Sequence, residues 1–142
     1  MDLPIKSSLD EILFQLTRIG LSVQPVPQRK ILFWGEGIGE ISSYAAGWMA
    51  GQGIEVIVLD GANRFNPYVV SSFARKTFIP PERLLKRIRI ARAFTCYQMS
   101  TMVGERLTCL LREEELNVPA TRPWVILLGP LTAFFDEDVP ER

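Results

Sequence analysis

Apolar residues along this chain change their spacing several times, and each change marks an element. Leu9, Ile12, Leu13, Leu16 and Ile19 recur every three or four positions, which places them on one helical face. Ser8 and Glu11 stand at capping-box spacing at the start of this stretch, and Gly20 stops it. Pro25 and Pro27 then break the chain. Ile31-Leu32-Phe33-Trp34 follows, an uninterrupted apolar run of the kind buried on both faces of a parallel sheet. Ile41, Tyr44, Ala45, Trp48 and Met49 return to the helical period, which Gly51 and Gly53 end. Glu55-Val56-Ile57-Val58-Leu59-Asp60 reads as a second buried strand, with a carboxylate at its C-terminal end.

Pro67 can start a helix running to about Lys76 that carries Tyr68, Val69 and Phe73. Pro80-Pro81 interrupts, and Pro81 suits the first turn of a short helix containing Glu82, Leu84 and Leu85. Arg87-Ile88-Arg89-Ile90-Ala91-Arg92-Ala93-Phe94 alternates polar and apolar residues, the period of a third strand. Met99, Met102, Val103, Leu107, Leu110 and Leu111 line one face of a long helix, at core spacing. It ends in Glu113-Glu114-Glu115, an acidic terminus that the macrodipole does not favour. Trp124-Val125-Ile126-Leu127-Leu128 is a fourth buried strand. Strands alternating with helices predict an α/β fold with a mostly parallel sheet of about four strands. The 142 residues divide into an N-terminal helix and linker (1–29), an α/β core (30–135) and an acidic tail (136–142), forming one domain.

Composition narrows the chemistry. The formal net charge is zero, so no global field favours nucleic acid or a membrane surface. No apolar run reaches transmembrane length, and the N-terminus lacks the pattern of a signal peptide, so the expected location is the cytoplasm. The chain has no histidine, which excludes Ser-His-Asp and Cys-His catalysis, H-E-x-x-H metal sites and histidine pH switches. Cys96 and Cys109 fit no zinc spacing and read as structural thiols, and no metal site is expected.

The most informative segment is Gly35-Glu36-Gly37-Ile38-Gly39-Glu40-Ile41-Ser42, between an expected strand and an expected helix. A phosphate-binding loop works because backbone N–H groups and a helix N-terminus surround the phosphates while a lysine neutralises their charge. Glu40 puts the opposite charge there, and Glu36 adds a second. At an effective dielectric of about 20, one charge roughly 4 Å from a phosphate is worth about 4 kcal/mol, and an anion reverses its sign.

Several segments, in order, resemble the RecA/RadA recombinase ATPase core. The stretch from Ile31 to Met49 resembles its Walker A unit, and Leu59-Asp60-Gly61-Ala62-Asn63-Arg64-Phe65 its second strand with the D-T-E-x-T-F continuation. Arg89-Ile90-Ala91-Arg92-Ala93-Phe94, followed by Gln98-Met99, is similar to I-Y-V-A-R-A-F-N-S-x-H-Q-M. Ile126-Leu127-Leu128-Gly129-Pro130-Leu131-Thr132-Ala133 is similar to the Walker B strand L-I-V-D-S-L-T-A. Residues 8–13 resemble the family's entry segment. The A-R-A-F and L-T-A segments are the most specific. The resemblance implies a three-layer P-loop NTPase fold, truncated, because the further strand and two DNA-contacting loops of such cores are missing.

The departures fall on catalytic positions. The Walker A lysine is replaced by Glu40 and its following threonine by Ile41, with Ser42 a displaced hydroxyl. The water-activating glutamate aligns with Ala62, and the aspartate that supports Mg²⁺ aligns with Gly129. Phosphoryl transfer relies on positioning and charge neutralisation, so losing all three leaves little to accelerate it. The expectation is a catalytically inactive RecA/RadA-like domain, not an enzyme, acting through protein contacts in DNA recombination, repair or their regulation. It implies a protein partner, a RecA/RadA-type paralogue among them, or a second copy. In the family's sheet the Walker A strand borders the missing strand, so its edge at Ile31, Phe33 and Trp34 becomes the candidate interface.

Two alternatives stand beside this. A vestigial nucleotide site at Gly35, Gly37, Gly39, Glu40, Ser42 and Asp60 would bind ATP without turning it over. The same glycines with Asp60 also imitate a dinucleotide fingerprint, although its last glycine would fall at Glu40. Arg83, Lys86, Arg87 and Arg89, with Arg75, Lys76 and Arg92, form a basic stretch able to contact nucleic acid. Without interleaved glycines and aromatics, it reads more simply as a solvated face.

Overall fold

The computed structural model describes residues 32, 34–117 and 123–135. The helix expected at 8–19, the linker up to 29, Ile31, Phe33 and the acidic tail at 136–142 lie outside the described residues.

Val-Ile-Val-Leu-Asp forms β1 (Val56–Asp60), and every residue of it is buried. Side chains alternate between the faces of a strand, so burial of Val56 and Val58 together with Ile57 and Leu59 means that both faces are covered. β2 (Ile88–Arg92) and β3 (Trp124–Leu128) pair with β1 on either side, both in parallel, giving the order β2-β1-β3. Val58 lies between Ile90 and Ile126, and Asp60 between Arg92 and Leu128. The molecule is therefore α/β with a parallel sheet of three strands among the described residues. No helix among them is long and apolar enough to cross a membrane.

The helices are α1 (Ile38–Gly51), α2 (Pro67–Lys76), α3 (Pro81–Leu85), α4 (Cys96–Thr101) and α5 (Leu107–Asn117). Pro67 and Pro81 each open a helix where a missing N–H costs nothing. Asn66 caps α2 by accepting the Tyr68 N–H at 3.0 Å. Thr95 and Gln98 form a reciprocal capping box on α4. Ala46, Met49 and Ala50 of α1 share one core with Val70, Phe73 and Ala74 of α2, packed on Val56 and Val58. Tyr44 meets Phe73 edge to face at 5.1 Å between centroids.

Two expectations are corrected. The long helix expected from Met99 is interrupted by a π-helical turn at Met102–Arg106, which buries none of its residues. The strand expected at 31–34 is not formed at its two described residues, for Leu32 and Trp34 lie outside any strand and are 78% and 83% exposed. Gly35 (φ 126) and Gly37 (φ 73) turn the chain just beyond them. Neither Leu32 nor Trp34 has a ladder partner among the described residues, and a ladder is what holds a strand.

Candidate functional site

The C-terminal ends of β1 and β3 and the N-terminus of α1 meet at one end of the sheet. Gly37 is the N-cap residue of α1 in the left-handed conformation and supplies no side-chain cap. Gly35, Glu36, Gly37 and Glu40 are exposed. Two carboxylates thus stand at the positive end of the α1 dipole, where a phosphate would otherwise be favoured. Gly39 is buried for a different reason. A Cβ there would lie 2.7 Å from the Arg64 carbonyl oxygen, so only glycine lets α1 approach the turn after β1.

That turn is built around Asp60. Its carboxylate is fully buried and accepts the N–H groups of Ala62 (3.2 Å), Arg64 (3.1 Å) and Phe65 (2.9 Å). Arg92 Nε lies 3.6 Å from Asp60 Oδ2, and Arg92 Nη2 donates to the Phe65 carbonyl at 3.0 Å. Asp60 is thereby a clamp on its own loop, and a ribose would have to compete with three backbone donors for it. Ser42 is half-buried. The hydroxyl that matters structurally is its neighbour's: Ser43 Oγ is buried, donates to the Gly39 carbonyl (2.6 Å) and accepts the Asn66 N–H (2.8 Å). It ties α1 to the start of α2.

The tips of β1 and β3 touch directly. Gly129 has φ 53, and a Cβ on it would lie 2.5 Å from the Ala62 Cβ and 2.8 Å from Thr132 Oγ1. A Cβ on Gly61 would meet the Gly129 carbonyl oxygen at 2.6 Å. Ala62 and Gly129 are the two positions that the resemblance aligns with the catalytic glutamate and the metal-supporting aspartate. Here they pack on each other.

Of the basic candidates, Arg87 is committed to structure: its Nη1 donates to Glu55 Oε1 (3.1 Å) and to the Gly53 carbonyl (3.0 Å). Arg83, Lys86 and Arg89 are exposed. The residues behind the A-R-A-F resemblance also have local work. Arg92 pins the Asp60 turn, the Ala93 N–H donates to the Asp60 carbonyl at 3.1 Å, and Gln98 caps α4. Among the interface candidates, Trp34 is exposed, while Ile31 and Phe33 lie outside the described residues.

Sequence reasoning passed over Ser43 in favour of Ser42, although Ser43 sits four residues beyond Gly39, the spacing at which a helical hydroxyl reaches a carbonyl. It also missed the contact between Ala62 and Gly129, which only the strand order brings together. No family model matches this chain, and no curated protein is significantly similar to it.

Proposed function

We propose that this chain is a RecA/RadA-like domain without ATPase chemistry that works through protein contacts, in DNA recombination or repair or in their regulation. The observation that carries the proposal is the packing of Ala62 against Gly129. It supports a site from which the two catalytic carboxylates have been removed and whose space the backbone has closed. Glu36 and Glu40 at the α1 N-terminus add to this, since they repel the phosphates a P-loop would hold. The engaged carboxylate of Asp60 speaks against the dinucleotide reading. The three-layer arrangement is part of the same proposal, supported by the burial of both faces of β1.

The strand order supports the interface. α1 and α2 pack on the same sheet face, and the chain passes through α2 and α3 from β1 to β2. Right-handed connections are the rule for parallel strands, so a strand feeding α1 would have to run outside β3. Among the described residues that edge has no neighbouring strand, and Leu127 beside it is 46% exposed. Leu131, Phe134 and Phe135 are exposed just after β3. An open edge with apolar residues nearby is a place for another chain to add, and we assign partner or self-association to it.

Calorimetric titration with ATP, ADP and NAD tests the reading. No heat with any of them is the expected result. Binding of NAD would refute the RecA-like assignment, and ATP binding without turnover would recast the domain as a nucleotide sensor.

A further inference from the structure

The two edges of the described sheet differ in what they offer another strand. The Trp124 N–H donates to the Glu55 carbonyl at 2.9 Å, and the Gly61 N–H donates to the Leu128 carbonyl at 2.8 Å. The N–H and C=O of one strand residue point to the same side, and successive residues alternate. Trp124, Ile126 and Leu128 therefore spend theirs on β1, while those of Val125 and Leu127 point away from it. Among the described residues no strand takes them up. β3 carries no charge, no proline and no bulge to discourage pairing. β2, at the other edge, carries Arg89 and Arg92, and two copies of it would bring arginines together. Pro123 directly precedes β3 at an outward position, with no N–H to offer.

This edge is complementary to itself in one register. Antiparallel pairing about a two-fold axis joins outward groups to outward groups, so the axis must pass at Val125, Ile126 or Leu127. An axis at Val125 would set Leu127 opposite Pro123, which cannot donate. An axis at Leu127 would set Val125 opposite Gly129, whose φ of 53 has left the strand. An axis at Ile126 pairs Val125 with Leu127 of the second copy, and each such pair exchanges both N–H···O bonds. The side chains brought together are then all apolar: Ile126 meets its own copy and Val125 meets Leu127, which is 46% exposed in the single chain. We propose that two copies of this chain join through β3, antiparallel about a two-fold axis at Ile126, so that one sheet runs through both. Each copy uses its edge once, so assembly stops at two. The pairing is short, so the dimer dissociates on dilution. The choice of edge rests on the protein-contact reading above; the partner, its direction and its register go beyond that reading.

The test is oxidative cross-linking of the full chain carrying Cys109→Ser, which removes the exposed native thiol; Cys96 is buried. Adding Ile126→Cys should give a disulfide-linked dimer, because a non-hydrogen-bonded pair sets its Cα atoms about 4.5 Å apart, within disulfide reach. Adding Val125→Cys instead should give none, since the two copies of position 125 would be diagonal neighbours about 7–8 Å apart. In sedimentation velocity the wild type should pass from monomer to dimer as its concentration rises. Leu127→Pro removes an outward N–H while the ladder to β1 keeps its bonds. This variant should stay monomeric with an unchanged far-UV circular dichroism spectrum. A wild type that is monomeric at every concentration would overturn the proposal. Dimers that cross-link equally through positions 125 and 126, or not at all through 126, would overturn it too. If the monomer instead captures a different protein and Leu127→Pro abolishes the capture, this dimer fails and the protein-contact reading stands. Heat on titration with ATP or NAD would sink that reading and leave the dimer untouched.

Discussion

Asp60 and Phe78 are residues on which local rules and observed structure diverge, and they diverge in opposite senses. Asp60 looks like a ligand-binding carboxylate at a strand end, yet its oxygens hold Ala62, Arg64 and Phe65 in the turn. Replacing it by Ala leaves those donors and Arg92 without their charged acceptor, and should cost about 3–5 kcal/mol in denaturant unfolding. An Asp60→Ala variant as stable as wild type would remove the clamp from this account. Phe78 looks unremarkable in sequence, yet it stands at φ 58 just beyond α2, where a helix end asks for glycine. Phe78→Gly should stabilise the fold by about 1 kcal/mol, read as a higher urea midpoint at unchanged m-value. Gly129→Asp should instead destabilise it by about 2 kcal/mol or more, because the new Cβ meets Ala62.

At the scale of elements, legibility followed the strength of the local signal. Helix α2 came out at its observed bounds because Pro67 fixes its start and its apolar positions share one face. β1 and β3 were legible as continuous apolar runs bounded by polar residues and glycine. The run at 31–34 carries the same signal, but composition cannot report whether a ladder partner is available. The π-helical turn was invisible for a related reason, since Met102 and Val103 keep the helical spacing while the backbone adds a residue per turn. The sheet itself should open unevenly. Amides of β1, paired on both sides, should exchange more slowly with deuterium than those of β3. Uniform protection across β1 and β3 would mean that another strand covers the β3 edge in the free protein.

For the whole molecule, the strand order could not be read from the chain, and with it went the convergence of Ala62, Gly129 and Gly39 at one end of the sheet. The RecA/RadA resemblance sets its departures at Glu40, Ala62 and Gly129, far apart in the chain; the fold brings Ala62 and Gly129 into contact, and the proposed reading takes all three as one closed site. Association belongs to this scale as well. If the β3 edge receives another chain, Leu127→Lys should leave folding nearly unchanged and weaken association in sedimentation velocity. A chain monomeric at all concentrations and without partners would count against it. The most direct test of the central claim is steady-state ATP turnover by the purified chain, with Glu40→Ala in parallel. The account predicts no turnover above background in either protein. Turnover by the wild type that Glu40→Ala abolishes would contradict it.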